Sequence, residues 1–171
     1  DIPYFTNETI FSLTELPKHL IIIGGGAFGI ELAQAFTRLG SKVSIIEANS
    51  VLDNQDQEFK TSICYLLNME GVSIYEQNVP EKIAAITGRI SVHTNHQVIT
   101  GTHLLIATGR IPLTTKLELE NAGITTQNRL IKTNQNLRTD NSRVYAVGDV
   151  ATTSRHTNMA SAHASVAIQN I

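Results

Sequence analysis

The run Gly24-Gly25-Gly26-Ala27-Phe28-Gly29 constrains this chain more than any other feature. It follows the apolar run His19–Ile23 (HLIII), and an apolar run stopped by glycines reads as a buried strand. After it, Phe28, Leu32, Ala35, Phe36 and Leu39 recur at i, i+4, i+7, i+8 and i+11. That is one face of a helix, with Gly40 where a glycine C-cap belongs. In this setting each glycine has a task. Gly24 permits the tight turn, Gly26 lets the backbone approach a pyrophosphate, and Gly29 lets the helix pack on the strand. The first turn of the helix then turns unpaired N–H groups and a positive dipole end toward the phosphates.

The pattern repeats along the chain. Lys42–Ile46 (KVSII) reads as a second strand, and Asp53 and Asp56 place acidic charge at a helix start. Phe59, Ile63, Leu66 and Leu67 form that helix's apolar face, Gly71 ends it, and Val72–Tyr75 is a third strand. Strands joined by helices of this length run parallel. After Pro80 the period shortens. Glu81–Thr87, Arg89–Thr94 and Gln97–Thr100 are β-rich runs parted by Gly88 and by Asn95-His96, which predicts an antiparallel meander. Thr102–Ala107 returns as a buried strand ending in Thr108-Gly109-Arg110. Residues 111–142 are polar and irregular, with a helical turn near Leu117–Ala122. Arg143–Val147 reads as a last buried strand, and residues 159–170 have helical spacing. The fold class is therefore α/β: a Rossmann-type parallel sheet with an antiparallel β-meander as its crossover.

Glu47 ends the second strand, 23 residues after Gly24. There a carboxylate accepts hydrogen bonds from the adenosine ribose hydroxyls. A lone glycine motif is a weak sign, and a glycine-rich turn beside an exposed glutamate is its alternative. Strand, helix and acid together favour dinucleotide binding. Glu47 would repel a ribose 2′-phosphate, and Ala48, Asn49 and Ser50 follow it with no arginine. The pattern predicts NAD(H) over NADP(H).

Composition narrows the class. Apolar residues make up 42% and charged residues 16% of 171, with a net charge of -2. No basic stripe marks a nucleic-acid surface, and no apolar run is long enough for a membrane span. The single cysteine, Cys64, cannot pair internally, which fits a reducing, cytoplasmic setting. It lies beside an apolar stripe and reads as a buried structural thiol. The six histidines show no metal-ligand spacing.

Several segments together resemble the pyridine nucleotide-disulfide oxidoreductases, the FAD-dependent group that includes dihydrolipoamide dehydrogenase and mercuric reductase. They are the lead-in Asp1–Pro17, LIIIGGGAFGIELAQAFTRLGSKVSIIE at 20–47, LLIATGRIP at 104–112, LELENAGI at 117–124 and RTDNSRVYAVGDV at 138–150. The wording of Glu31–Phe36 and Arg38–Val43 is similar to mercuric reductase, and the Glu47-Ala48 pair to dihydrolipoamide dehydrogenase.

The resemblance implies roles position by position. Gly24, Gly25, Gly26, Ala27, Phe28 and Gly29 would hold the NAD pyrophosphate. Glu31 would lie near the nicotinamide and pair with a lysine of the FAD domain. Its alternative is a glutamate favouring the positive end of its own helix. Val79 would give a backbone contact on the adenine side, and Gly109 would let the chain pass the dinucleotide. Asp149 would hydrogen-bond the FAD ribityl chain, unless it is a turn or cap aspartate. Met159 and Ala160 would start the helix facing the flavin. The family's first glycine motif, its Cys-x4-Cys pair and its C-terminal dimerisation domain have no counterpart among these residues. The expectation is therefore a central segment: 1–17 an FAD-domain edge, 18–112 the NAD(H) domain, 113–137 a connection and 138–171 an FAD-domain return. FAD would belong to the parent protein, a homodimer through its C-terminal domain. The segment alone would bind NAD(H) without turnover.

Overall fold

In the computed structural model the described residues are 2–171, so Asp1 of the lead-in lies outside them. The chain divides into two units, Asp1–Gly109 and Arg110–Ile171.

The first unit is built around β1 (His19–Ile23), whose last four residues are buried. Successive side chains of a strand point to opposite faces. Leu20 and Ile22 enter one core cluster, and Ile21 and Ile23 another. β2 (Lys42–Ile46), β3 (Ser73–Tyr75) and β7 (His103–Ile106) complete a four-stranded sheet in the order β3-β2-β1-β7. All its pairings are parallel. Strand order reverses at β1, so the crevice beyond the ends of β1 and β7 is the topological switch point, where such sheets bind ligands. Phe5 bridges Leu105 from the far side of β7, donating its N–H to the Leu104 carbonyl at 2.7 Å.

Helices cover one face. α1 (Ala27–Arg38) buries Gly29, Ile30 and Ala33, with Phe28, Leu32 and Phe36 half-buried beside them. The expected stripe is thus rotated: Ala35 and Leu39 face outward. Gly29 presses so close to the sheet that the stripe centres on it rather than on the larger side chains. In α2 (Gln57–Met69), Leu67 is buried and Ile63 and Cys64 are half-buried, while Phe59 and Leu66 are exposed. Asp56 caps α2, accepting from the Glu58 and Phe59 N–H groups at 2.9 and 3.4 Å. Arg38 grips Glu70 at the end of α2 through two nitrogens, at 2.6 and 2.8 Å.

The meander covers the other face. β4 (Pro80–Ile86), β5 (Arg89–Thr94) and β6 (Val98–Gly101) pair antiparallel. Ile90, Val92 and Ile99 pack against Ile21, Ile23, Ile46 and Leu104. Gly101 makes the close approach possible, since a Cβ there would lie 2.7 Å from Ile21 Cγ1 and 2.9 Å from the His19 carbonyl. His19 itself sits half-buried, its Nε2 2.9 Å from Ser44 Oγ. Burial, with Lys42 adding to it, holds this imidazole below its ordinary pKa. The unfolded chain therefore takes up its proton first as pH falls below the ordinary histidine value. Stability is full above that value and is lost in that window. Thermal midpoints should fall through the histidine range, and His19→Gln should flatten that part of the profile.

In the second unit, β8 (Thr126–Gln127) and β9 (Leu130–Ile131) form a small hairpin. Its turn holds Asn128 and Arg129 at φ 52° and 65°. Ile124, Ile131 and Ala146 form a core with Val144 and Val150 against it. The expected helical turn is a 3-10 turn at Leu119–Ala122, and α3 runs Thr157–Gln169. Arg143–Val147 is not a buried strand. It is held by one isolated bridge, Arg138 to Tyr145, and only Ala146 of it is buried. The bonds from Thr139 N–H to the Val144 carbonyl and from Ala146 N–H to the Leu137 carbonyl close a tight loop rather than a ladder.

Candidate functional site

Three loops meet where β1, β2 and β3 end. The first is the glycine loop. Gly24 has φ +113°, and its N–H donates to the Ile46 carbonyl at 2.9 Å. A Cβ on Gly24 would lie 2.4 Å from the Ala107 carbonyl oxygen, and one on Gly29 would lie 2.1 Å from the Gly24 oxygen. Both positions are filled by backbone, so glycine is obligatory for packing. Gly26 differs, because a Cβ there would meet nothing within 4 Å. It is the N-cap of α1, with no side-chain cap. The N–H groups of the first turn, from Ala27 to Gly29, precede the first helical bond, which Ile30 donates to Gly26 at 3.0 Å. An uncapped helix start with an open side at its cap is a fitting cradle for a pyrophosphate.

The second loop carries the acid. Glu47 is half-buried and its carboxylate is already oriented: one oxygen accepts from Gly25 N–H at 2.7 Å, the other from Asn49 N–H at 2.9 Å. A carboxylate has about four lone-pair sites, so both oxygens can still accept ribose hydroxyls. The half-buried Ala48 follows directly. The Leu52 N–H donates to the Gly25 carbonyl at 2.9 Å and ties this loop to the first.

The third loop follows β3. The buried Asn78 donates from Nδ2 to the Glu76 carbonyl at 2.8 Å, and its Oδ1 accepts from the Thr94 hydroxyl at 2.9 Å. Its own N–H donates to the Glu47 carbonyl at 3.0 Å. Val79, next in sequence, has its N–H on Asn95 Oδ1 at 2.8 Å, and its carbonyl accepts the Asn95 N–H at 3.2 Å. The sequence marks Asn95 only as a turn residue and Asn78 not at all, because a polar residue beside a predicted meander carries no periodic signal. Glu31 is exposed on α1, one turn past its start. Gly109 ends this unit with φ +131° and open space around it.

In the second unit Asp149 lies in a 3-10 turn, Gly148–Val150, 3.5 Å from Arg110. Gly148 packs on α3, where a Cβ would lie 3.3 Å from that of Ala160, and its N–H reaches His163 Nδ1 at 3.3 Å. The structure thus brings Asp149 to the same corner as Ala160, with half-buried Met159 one residue earlier. Cys64 is half-buried rather than buried, and burial pushes its thiol up, with Glu76 adding to it. A raised thiol is a poor nucleophile. Among the described residues no three His, Cys, Asp or Glu are grouped to hold a metal, and no helix is long and apolar enough to cross a membrane.

Known proteins resemble this chain over most of its length. Residues 1–168 match the pyridine nucleotide-disulphide oxidoreductase family. A mercuric reductase of Streptomyces lividans is 33% identical over 174 residues, covering 99% of this chain and 37% of the relative. The probable pyridine nucleotide-disulfide oxidoreductase RclA of Escherichia coli (strain K12) is 39% identical over 148 residues, 85% of this chain and 34% of its own. The solved HOCl-induced flavoprotein disulfide reductase RclA from Escherichia coli superposes with a TM-score of 0.92 at 32% identity, over 98% of this chain and 39% of that one. LpdA of Mycobacterium tuberculosis, at 24% identity, shares the fold with a TM-score of 0.89. The chain spans between a third and two fifths of the length of these relatives. Matched over residues 1–168, this chain is a member of the pyridine nucleotide-disulphide oxidoreductase family.

Proposed function

We propose that the chain is the NAD(H)-binding segment of an FAD-dependent oxidoreductase. In that enzyme hydride passes between NAD(H) and FAD, and electrons exchange with a disulfide or a metal ion. One observation carries the reading: the Glu47 carboxylate is clamped by the N–H groups of Gly25 and Asn49, and the residue after Gly25, Gly26, has open space where a side chain would be. The α1 N-terminus takes the pyrophosphate on the N–H groups around Gly24–Gly29, and Glu47 takes the ribose hydroxyls. Ala48 and Val79 border the adenosine, Gly109 passes beside the dinucleotide, and Glu31 lies toward the nicotinamide. When bound, the two cofactors supply the redox chemistry, and the residues here only bind and orient them. Asp149, Met159 and Ala160 are assigned to the flavin side, supported by the corner that Gly148 and Ala160 form. The division 1–17, 18–112, 113–137 and 138–171 belongs to this reading, as do a homodimeric parent and a cytoplasmic setting. The acceptor rests on the relatives: several are mercuric reductases, and one solved RclA is a Cu(II) complex.

Taken alone, the chain is a binding module. Its 171 residues hold a single cysteine, Cys64, and so no dithiol for turnover. Titrating it with NADH and NADPH tests the cofactor choice. NADH should bind more tightly by about 1–3 kcal/mol, or roughly 5- to 150-fold, the scale of an unsatisfied charged group. Glu47→Ala should narrow the gap by weakening NADH and relieving the 2′-phosphate. Equal affinities in the unsubstituted chain, or tighter NADPH, would overturn the assignment.

A further inference from the structure

We infer that Glu76 is a second determinant of nucleotide choice, clamping the loop that carries Glu47 and adding a second negative charge beside the ribose. The inference rests on the dinucleotide reading above. Ile46 and Tyr75 are register partners on β2 and β3, so Glu47 and Glu76 are the next residues past a paired end. Neighbouring strands lie about 4.8 Å apart, which places the two backbones side by side. Glu47 N–H still donates to the Tyr75 carbonyl at 2.9 Å, so the ladder runs on to this point.

From there the two carboxylates close on one loop. Glu47 accepts the Asn49 N–H, and Glu76 accepts the Val51 N–H at 2.7 Å. The Asn49 carbonyl accepts from Gln77 N–H at 3.0 Å, tying the loop to the residue after Glu76. Val51 is fully buried, so the bond to its N–H fixes where the loop turns. Among the described residues neither carboxylate has a salt-bridge partner. A dinucleotide with a 2′-phosphate would therefore meet two uncompensated charges, not one. Nothing in the sequence motif marks the second, because it lies on the third strand's end and outside the glycine–acid spacing.

The two roles separate by substitution. Glu76→Gln keeps an oxygen that can accept the Val51 N–H and removes the charge. Glu76→Ala removes both. NADH and NADPH are titrated against the unsubstituted chain and both variants, at low ionic strength and again at about 0.5 M salt, with thermal melts as the folding control. Glu76→Gln should shrink the ratio of NADPH to NADH dissociation constants by about 3- to 10-fold at low salt, mostly through tighter NADPH. High salt should erase most of that change, since screening acts on the charge and not on the bond. Glu76→Ala should weaken NADH as well, because the freed loop no longer holds Glu47. A Glu76→Gln ratio equal to that of the unsubstituted chain at low salt overturns the inference and leaves the dinucleotide reading intact. An unsubstituted chain that binds neither nucleotide overturns both.

Discussion

Gly26→Val should bind NADH at least about 100-fold more weakly than the unsubstituted chain, at a nearly unchanged melting temperature. The loss reflects two or more hydrogen bonds to a charged group, at about 1.5–3 kcal/mol each. Gly26 has φ −75° and ψ 176°, a conformation open to any residue, and a Cβ there touches nothing within 4 Å. The valine methyls therefore cost the fold little beyond a poorer N-cap. They occupy the space through which phosphate oxygens would reach the N–H groups of the first turn of α1. Calorimetric titration with NADH, beside a melt followed by circular dichroism, separates the two effects. Normal NADH affinity in a folded variant would show that the phosphates lie elsewhere.

Gly29→Ala should do the reverse and unfold the first unit more easily by about 3 kcal/mol, the upper range for overpacking a tight core. Its Cβ would sit 2.1 Å from the Gly24 carbonyl oxygen, with Ile22 at 3.4 Å behind it. Backbone cannot swing aside as a side chain can. To accept the methyl, α1 must lift from β1 and uncover Ile30 and Ala33, which are buried in that contact. Urea unfolding measures the change. A variant as stable as the unsubstituted chain would mean that α1 does not rest on the sheet through this contact. Glycines three residues apart thus differ in kind: a Cβ on Gly26 meets open space, and one on Gly29 meets backbone.

The parallel sheet, both flanking helices and the meander were legible because each depends on local period. Alternation, helical spacing and glycine punctuation act over a few residues. What failed depends on partners distant in sequence. The helix stripes were rotated because the sheet draws α1 in at Gly29, a residue with no hydrophobicity to count. The β8–β9 hairpin has no sequence signature because its turn is Asn128-Arg129, where an Asn-Gly pair would announce the positive φ values. Arg143–Val147 has strand composition, but composition cannot supply a neighbour to pair with. At the site, the glycines and Glu47 could be named from spacing. The groups that fix Glu47, among them Asn78 and Glu76, arrive from β3 and the meander, and no single-strand pattern foretells them.

The order β3-β2-β1-β7 also governs how this chain can be made. β1 is an inner strand, yet its partner β7 lies some eighty residues later, after both helices and the whole meander. A nascent chain emerging from its N-terminus must hold Leu20–Ile23 with one edge unpaired until residues 103–106 appear, and Phe5 waits for the same strand. An unpaired apolar edge invites pairing with other chains. Synthesis that stalls inside the meander would leave an aggregation-prone intermediate, and the completed β7 would cover that edge of β1 and take Phe5 on its own other side.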